Sequence, residues 1–364
     1  MLEERTGSQV KRKKIWPWAI LAAPVLAVLG YVGYAQAAYY RLEDRLPLDV
    51  EDQQDQQARP DTEYTLLSYN VGFLAYSADY SFFMDGGEES RARSVQAVEA
   101  NGQGVLETVR SVSPDFLFLQ EVDVDATRSW HVDEAALLTG ELTDYSRVFA
   151  QNYDSPYLLW PLTEPHGASR SGIMTLSRCR VECALRRSLP VETGFSKFLD
   201  LDRCYSVTRV SVSNGRTLCL YNVHLSAYTT DGSIATEQLA MLLEDMVGEY
   251  QAGNYVVCGG DFNKDLLGDS GSIFGVSGEA YTWAQPFPQE LVPQGLSLVA
   301  PLDKDAPIPS CRNADKAYDP ETSFVLTVDG FLVSDNVEVR EAQVVDTGFA
   351  WSDHNPVRLT FQLT

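Results

Sequence analysis

Apolar runs recur along the chain from residue 65 onward, and several stop on a single polar or charged side chain. TLLSYN at 65–70, FLFLQE at 116–121, TLCLYNVH at 217–224 and YVVCGGD at 255–261 share this form. Short apolar runs bounded by turn residues read as buried strands. GIMTLS at 172–177, YSVTRVSV at 205–212, SFVLTVDGFLV at 323–333, VEVREAQVV at 337–345 and PVRLTFQLT at 356–364 read the same way. Asn214-Gly215 between two such runs predicts a hairpin. Helical spacing shows in two places. Val95, Val98, Val105, Leu106 and Val109 recur within Arg93–Arg110, and Pro114 stops that helix before the next strand. Leu239, Leu242, Leu243, Met246 and Val247 line one side of Thr236–Gln251. Strands and helices mix without strict alternation, which suits an α+β sandwich better than a Rossmann sheet.

The pattern before residue 63 differs. Residues 15–35, IWPWAILAAPVLAVLGYVGYA, carry no charge and are mostly apolar. A bilayer needs roughly 20 such residues. KRKK at 11–14 precedes the run, and Glu43, Asp44 and Asp49 follow it. Positive charge marks the cytoplasmic side, so 1–14 reads as a cytoplasmic basic segment and 15–36 as a transmembrane anchor. Trp16, Trp18, Tyr39 and Tyr40 stand where interfacial aromatics belong. A cleaved signal peptide is the alternative, with Ala35-Gln36-Ala37 as the small-residue cleavage site. Both readings place the following domain outside the cytoplasm. Residues 37–62 are polar, rich in Gln and Asp, and read as a stalk. Residues 63–364 form the globular domain.

With 45% hydrophobic residues the chain can bury a core. Its net charge is -23, and the basic residues among the first 14 leave the remainder more acidic still. Nucleic-acid affinity comes largely from Lys and Arg neutralising phosphates, so no stable nucleic-acid complex is expected. The same charge keeps an exposed monomer soluble. Cysteines stand at 179, 183, 204, 219, 258 and 311. In an exported chain they could pair in several ways, although Cys219 and Cys258 fall inside predicted buried strands and read as core thiols.

Six segments hold the candidate chemistry: Asn70 in SYN, Glu121 in LQE, His224 in NVH, Asp261 and Asn263 in GGDFN, Asp329 in TVDG, and Asp353 with His354 in WSDH. One such segment is weak; six in this order are specific. Phosphodiester hydrolysis needs charge neutralisation, an activated in-line water and help for the leaving oxygen. Glu121 closes an apolar strand, where an unpaired carboxylate is costly without a cation. Hard oxygen ligands favour Mg²⁺ or Mn²⁺ over zinc.

In these segments the chain resembles the endonuclease/exonuclease/phosphatase superfamily, which includes DNase I-like nucleases, abasic-site endonucleases, inositol polyphosphate 5-phosphatases and bacterial sphingomyelinases. The resemblance spans roughly residues 63–364 and implies a four-layer α/β/β/α sandwich with metal-dependent hydrolysis of phosphate esters. It implies metal contacts for Asn70, Glu121 and Asp353. Asp261 then orients or deprotonates the attacking water, and Asn263 holds a phosphate oxygen. His354 is paired with Asp329, and His224 binds the phosphate or protonates the leaving oxygen. Asn152 and Tyr153 match a phosphate-contacting position loosely. Arg170 and Lys197 are further candidate substrate contacts, with ordinary solvated surface charge as the alternative. Gly330 departs from the family, where an aromatic often follows the aspartate.

The expected activity is that of a membrane-anchored, exported, metal-dependent phosphoesterase whose substrate stays open. A nuclease needs a cationic or aromatic track that the acidic domain does not offer. A lipid phosphodiesterase needs an apolar hairpin, for which WAQPFP at 283–288 is a candidate. A monoesterase with a second phosphate needs extra cations, of which Lys197 and Lys264 are candidates. A non-catalytic binding protein on the same fold would be expected to have lost site residues, and none is missing.

Overall fold

The computed structural model describes residues 16–191, 194, 197, 202–227, 233–276 and 285–364, with side chains from residue 22. The basic segment 1–14 and the first two residues of WAQPFP lie outside the described residues. The chain divides into two compact units, residues 1–40 and 41–364.

In the first unit Trp16–Ala38 is one helix, α1, with Pro24 inside it. Among the described residues no helix is long and apolar enough to cross a membrane. The expected anchor at 15–36 draws partly on residue 15 and on side chains 16–21, which lie outside the described set.

The second unit holds two large sheets. One runs edge to edge as β1 (Leu46–Leu48), β6 (Val181–Ser188), β7 (Cys204–Ser211), β8 (Thr217–His224), β9 (Tyr255–Asp261), β13 (Asp329–Ser334) and β10 (Leu296–Val299). The other runs β14 (Val337–Val344), β15 (Val357–Leu363), β2 (Glu63–Asn70), β3 (Phe116–Ala126), β5 (Ser169–Ser177) and β4 (Ser146–Asp154). A small ribbon pairs β11 (Cys311–Arg312) with β12 (Val325–Leu326).

Strand periodicity decides the layers, because successive side chains face opposite sides. Leu66 packs with Phe116, Phe118, Leu220, Val257, Phe331 and Leu359 in a core fed by both sheets. Its neighbour Leu67, with Tyr69, packs instead against Val98, Val105, Leu106 and Val109 of helix α2 (Val95–Val112). On the far sheet Cys219, Tyr221, Val256 and Cys258 pack against Leu239, Leu242, Leu243 and Met246 of helix α4 (Ser233–Gln251), which follows the short α3 (Glu134–Thr139). The layers are therefore helix, sheet, sheet, helix. Central strands covered on both faces explain the unbroken apolar runs.

Two crossovers set up the site. β2 and β3 are parallel with α2 between them in sequence, and Asn70 lies opposite Gln120. β8 and β9 are parallel with α4 between them, and His224 lies opposite Asp261. β13 runs antiparallel to β9 and places Asp329 opposite Asp261. The polar ends of separate runs thus meet at one end of the sandwich.

Several expectations need correction. Residues from Arg41 to 62 are not a free stalk. β1 pairs with β6, Ala58 N donates to Ser211 O at 2.9 Å, and Ala58 is fully buried. The run SFVLTVDGFLV is two strands, because Thr327 and Val328 leave the sheet to accept from Leu266 N and Phe262 N at 2.9 and 3.0 Å. All six cysteines are free thiols, with Cys219 and Cys258 in the core. At Gly330 a Cβ would lie 2.4 Å from Leu266 Cδ1, so this position is packed shut against larger residues.

Candidate active site

Each site residue reaches the pocket for a local reason. Register between β3 and β5 breaks between Leu119 and Val122, and Glu121 inside the break has a φ of 56°. A bulge re-aims a side chain, and a left-handed non-glycine residue carries about 1–3 kcal/mol of strain. Gly260, with a φ of 144°, sits where a Cβ would lie 2.0 Å from Val223 O. Only glycine lets β9 approach β8 this closely before Asp261. Gly72 has a φ of 52°, and a Cβ there would lie 3.0 Å from Asp353 Oδ1.

The amide of Asn70 bridges two carboxylates. Its Nδ2 donates to Glu121 Oε1 at 3.2 Å and to Asp261 Oδ2 at 3.1 Å. Its Oδ1 accepts from Gly72 N at 3.0 Å. Ser352 ties the last motif to the first, donating to Asn70 O at 2.7 Å and to Asp353 Oδ1 at 3.2 Å. Asp261 is the hub. His224 Nε2 lies 3.7 Å and His354 Nε2 3.8 Å from its Oδ2, and Asn263 N donates to its Oδ1 at 2.8 Å. His224 Nε2 is also 3.9 Å from Glu121 Oε1. His354 Nδ1 meets Asp329 Oδ2 at 2.8 Å, and Ser310 Oγ donates to the same oxygen at 2.7 Å. All eight motif residues are thus linked around one pocket.

The electrostatics follow from this crowding. Burial raises the Glu121 pKa, against the opposing pull of Arg128. Burial also lifts Asp261 to about 7, with His354 lowering it and Asp329 raising it. Burial drives His224 well below its usual value. For His354 burial again disfavours the charged form, but the Asp329 carboxylate and the Cys311 sulfur outweigh it, and its pKa rises well above normal.

The weaker candidates separate. Asn152 is buried on β4. Tyr153 is half-buried, with the Arg128 guanidinium 5.5 Å from its ring. Arg170 is exposed on β5, opposite Asp125 and Asp154 in register, and among the described residues it makes no polar contact with the eight. Lys197 is half-buried. Of the two histidines outside the motifs, His131 is exposed beside Asp125 and His166 lies inside the fold. It is buried, its Nδ1 lies 2.8 Å from Ser90 O, and burial lowers its pKa to about 4.

Sequence reasoning missed three contributors. Arg128 is held by Asp123 through two bonds of 3.0 and 2.8 Å and sits 4.0 Å over the Phe73 ring. Ser310 bonds the Asp329 oxygen that meets the imidazole, and Cys311 Sγ lies 3.6 Å from His354 Nε2. Nothing in the sequence marks their distant partners, Phe73 for Arg128, Asp329 for Ser310 and His354 for Cys311.

A hard divalent cation fits this pocket. Four carboxylates converge, Arg128 is already committed to Asp123, and Glu121 and Asp261 are raised first by burial and further by the neighbouring Asp353 and Asp329 carboxylates, a state that a cation would relieve. His224 Nδ1 is buried without a hydrogen-bond partner among the described residues. Asp261, Asp329 and His354 also bring ligand atoms within 4.8 Å of one another. Asp329 Oδ2, however, already accepts two hydrogen bonds.

Comparison with known proteins bears on the family and the fold. Residues 67–354 match the Endonuclease/Exonuclease/phosphatase family. No curated protein matches the chain. Among solved structures, the endonuclease/exonuclease/phosphatase from Beutenbergia cavernae DSM 12333 is similar, with 17% identity, a TM-score of 0.55, and coverage of 83% of this chain and 72% of that one. D. rerio TDP2 complexed with single strand DNA product has 16% identity, a TM-score of 0.52, and coverage of 83% and 100%. ANGEL2, a 2′,3′-cyclic phosphatase in complex with adenosine-2′,3′-vanadate, has 17% identity, a TM-score of 0.54, and coverage of 88% and 99%. At such identities the likeness is one of fold. With most of its length matched, the chain belongs to the endonuclease/exonuclease/phosphatase family.

Proposed function

We propose that the protein is a divalent-metal-dependent hydrolase of phosphate esters. The observation that carries this reading is the chain of contacts from Asp329 through His354 to Asp261, with Asn70 joining Asp261 to Glu121. The similar proteins add support, since one binds a DNA product and another is a cyclic phosphatase. Glu121 and Asp353 would hold Mg²⁺ or Mn²⁺, joined by the Asn70 oxygen only through its lone pair left over from Gly72 N; the family is generally dependent on a divalent metal. When bound, the ion neutralises phosphate charge and favours in-line displacement.

The remaining roles fall to the chain itself. Asp261, with a pKa near 7, is poised to take a proton from the attacking water. Asp329 fixes the His354 ring through Nδ1 and leaves Nε2 facing Asp261 and the pocket. His354 keeps its proton and stabilises negative charge developing on phosphate oxygens. His224 Nε2, close to both Glu121 and Asp261, faces the phosphate or the leaving oxygen. Asn263 donates one amide hydrogen to Leu225 O at 2.8 Å, and its second is available for a phosphate oxygen.

The substrate class is decided by a screen. Full-length protein is assayed with Mg²⁺ or Mn²⁺ against DNA, RNA, sphingomyelin, phosphoinositides and bis(p-nitrophenyl) phosphate. Hydrolysis of at least one, abolished by EDTA, is expected. Hydrolysis of none would overturn the reading. The net charge of -23 disfavours a non-specific nuclease.

We also propose that residues 15–36 anchor the domain outside the cytoplasm. The support is KRKK before the apolar run, together with exposed apolar side chains at Val25, Leu26, Val28 and Leu29 of α1. Protease added to intact cells should remove the domain. Protection until lysis would refute the topology.

A further inference from the structure

A groove of about 570 Å³ opens beside the turns that follow His224 and Asn263. Leu225, Leu239, Pro286, Phe287 and Lys264 line it. Two of these follow site residues directly, Leu225 after His224 and Lys264 after Asn263. The Asn263 amide donates to Leu225 O, so both turns are tied together.

The lining is apolar apart from a few groups. Leu225, Leu239 and Phe287 are buried. Lys264 is half-buried, and burial lowers its pKa. Among the described residues it has no hydrogen bond or ion pair. Five arginines of this acidic chain, Arg93, Arg128, Arg187, Arg209 and Arg358, by contrast face carboxylates. Glu237 also lines the groove, but it is exposed and screened by water. A partly desolvated ammonium without a counter-ion is unfavourable, and an anion brought in on an apolar chain would remove that cost.

We propose that this groove is a subsite for the non-reacting ester group of the substrate, and that it takes an apolar chain ending in a phosphate or carboxylate paired with Lys264. The inference rests on the phosphoester reading of the catalytic pocket. It narrows that reading to diesters of amphiphilic, anionic alcohols.

Two measurements on full-length protein test it. The first compares hexyl p-nitrophenyl phosphate with its 5-carboxypentyl analogue. Wild type should favour the carboxylate in kcat/KM by about tenfold, in the range of a hydrogen bond to a charged group. Lys264→Gln should remove the preference and Lys264→Glu reverse it, with the hexyl ester changed by less than about twofold. Equal effects on both esters, or no preference in wild type, would overturn the subsite while leaving the phosphoesterase reading intact. The second needs no turnover. Trace acetylation is followed by peptide mass spectrometry with hexyl phosphate or inorganic phosphate present. Hexyl phosphate should slow Lys264 labelling by about threefold or more, as an occupied site would, and inorganic phosphate should do less. The exposed Lys304 serves as the unprotected control. Equal labelling of Lys264 with and without hexyl phosphate would overturn the subsite even if no ester is hydrolysed.

Discussion

His354→Ala is expected to lower kcat by about three to four powers of ten, at about 1.4 kcal/mol of barrier for each tenfold. The ring is buried, reaches Asp261 Oδ2 at 3.8 Å through Nε2, and is held at Nδ1 by Asp329. Removing it deletes the charged donor beside the reacting phosphate, and added metal has no route to replace it. Asp329→Asn should cost less, about a hundredfold, because the ring stays but its charge and tautomer lose their carboxylate partner. Ser310 would still bond residue 329. The check is kcat together with the Mg²⁺ concentration for half-maximal rate. In both variants kcat should fall while the half-maximal concentration stays near that of wild type. A large shift in the Mg²⁺ requirement of Asp329→Asn would move Asp329 into the metal site.

Glu121→Gln is expected to act the other way. Its side chain is 27% exposed, and its charge sits near the Asp353 carboxylate. Loss of that charge should raise the Mg²⁺ concentration for half-maximal rate by about 10–100-fold, at least the effect known for weaker outer contacts. Raised Mg²⁺ should restore part of the rate. A thermal melt gives a second readout, since a ligand that binds only the folded state raises Tm by mass action. Mg²⁺ should stabilise wild type more than Glu121→Gln. Equal stabilisation would remove Glu121 from the ligand set.

Much of this site was legible because it follows strand ends. Asn70, Glu121, His224 and Asp261 each close an apolar run, and the parallel pairs β2–β3 and β8–β9 bring those ends together. The layer order was expected from the family resemblance rather than from the apolar pattern, and in the structure the consecutive Leu66 and Leu67 face different cores. The edges were harder. β4 and β6 carry Arg147, Arg186 and Arg187 among apolar residues, which hides their strand character. Arg186 is nevertheless fully buried, because Gln151 O, Ser188 Oγ and Asp202 O accept its guanidinium hydrogens. The supposed stalk misled for the same cause. Gln53 and Gln54 look solvated, yet Gln53 Nε2 donates to Val181 O and Gln54 N to Ser146 Oγ. Polar residues whose bonds are satisfied by the fold cannot be told from solvated ones by composition. Cys311 and Arg128 were missed because their meaning lies in distances of a few ångströms to residues remote in sequence.

The most direct measurement is the rate of bis(p-nitrophenyl) phosphate hydrolysis against Mg²⁺ concentration, for full-length wild type, Glu121→Gln and His354→Ala in parallel. A site in which carboxylates hold the metal and a carboxylate-held imidazole assists the phosphate predicts two different curves. Glu121→Gln should shift to higher Mg²⁺ and partly recover, whereas His354→Ala should stay low at every concentration. Equal, metal-independent losses in both variants would contradict that division of labour.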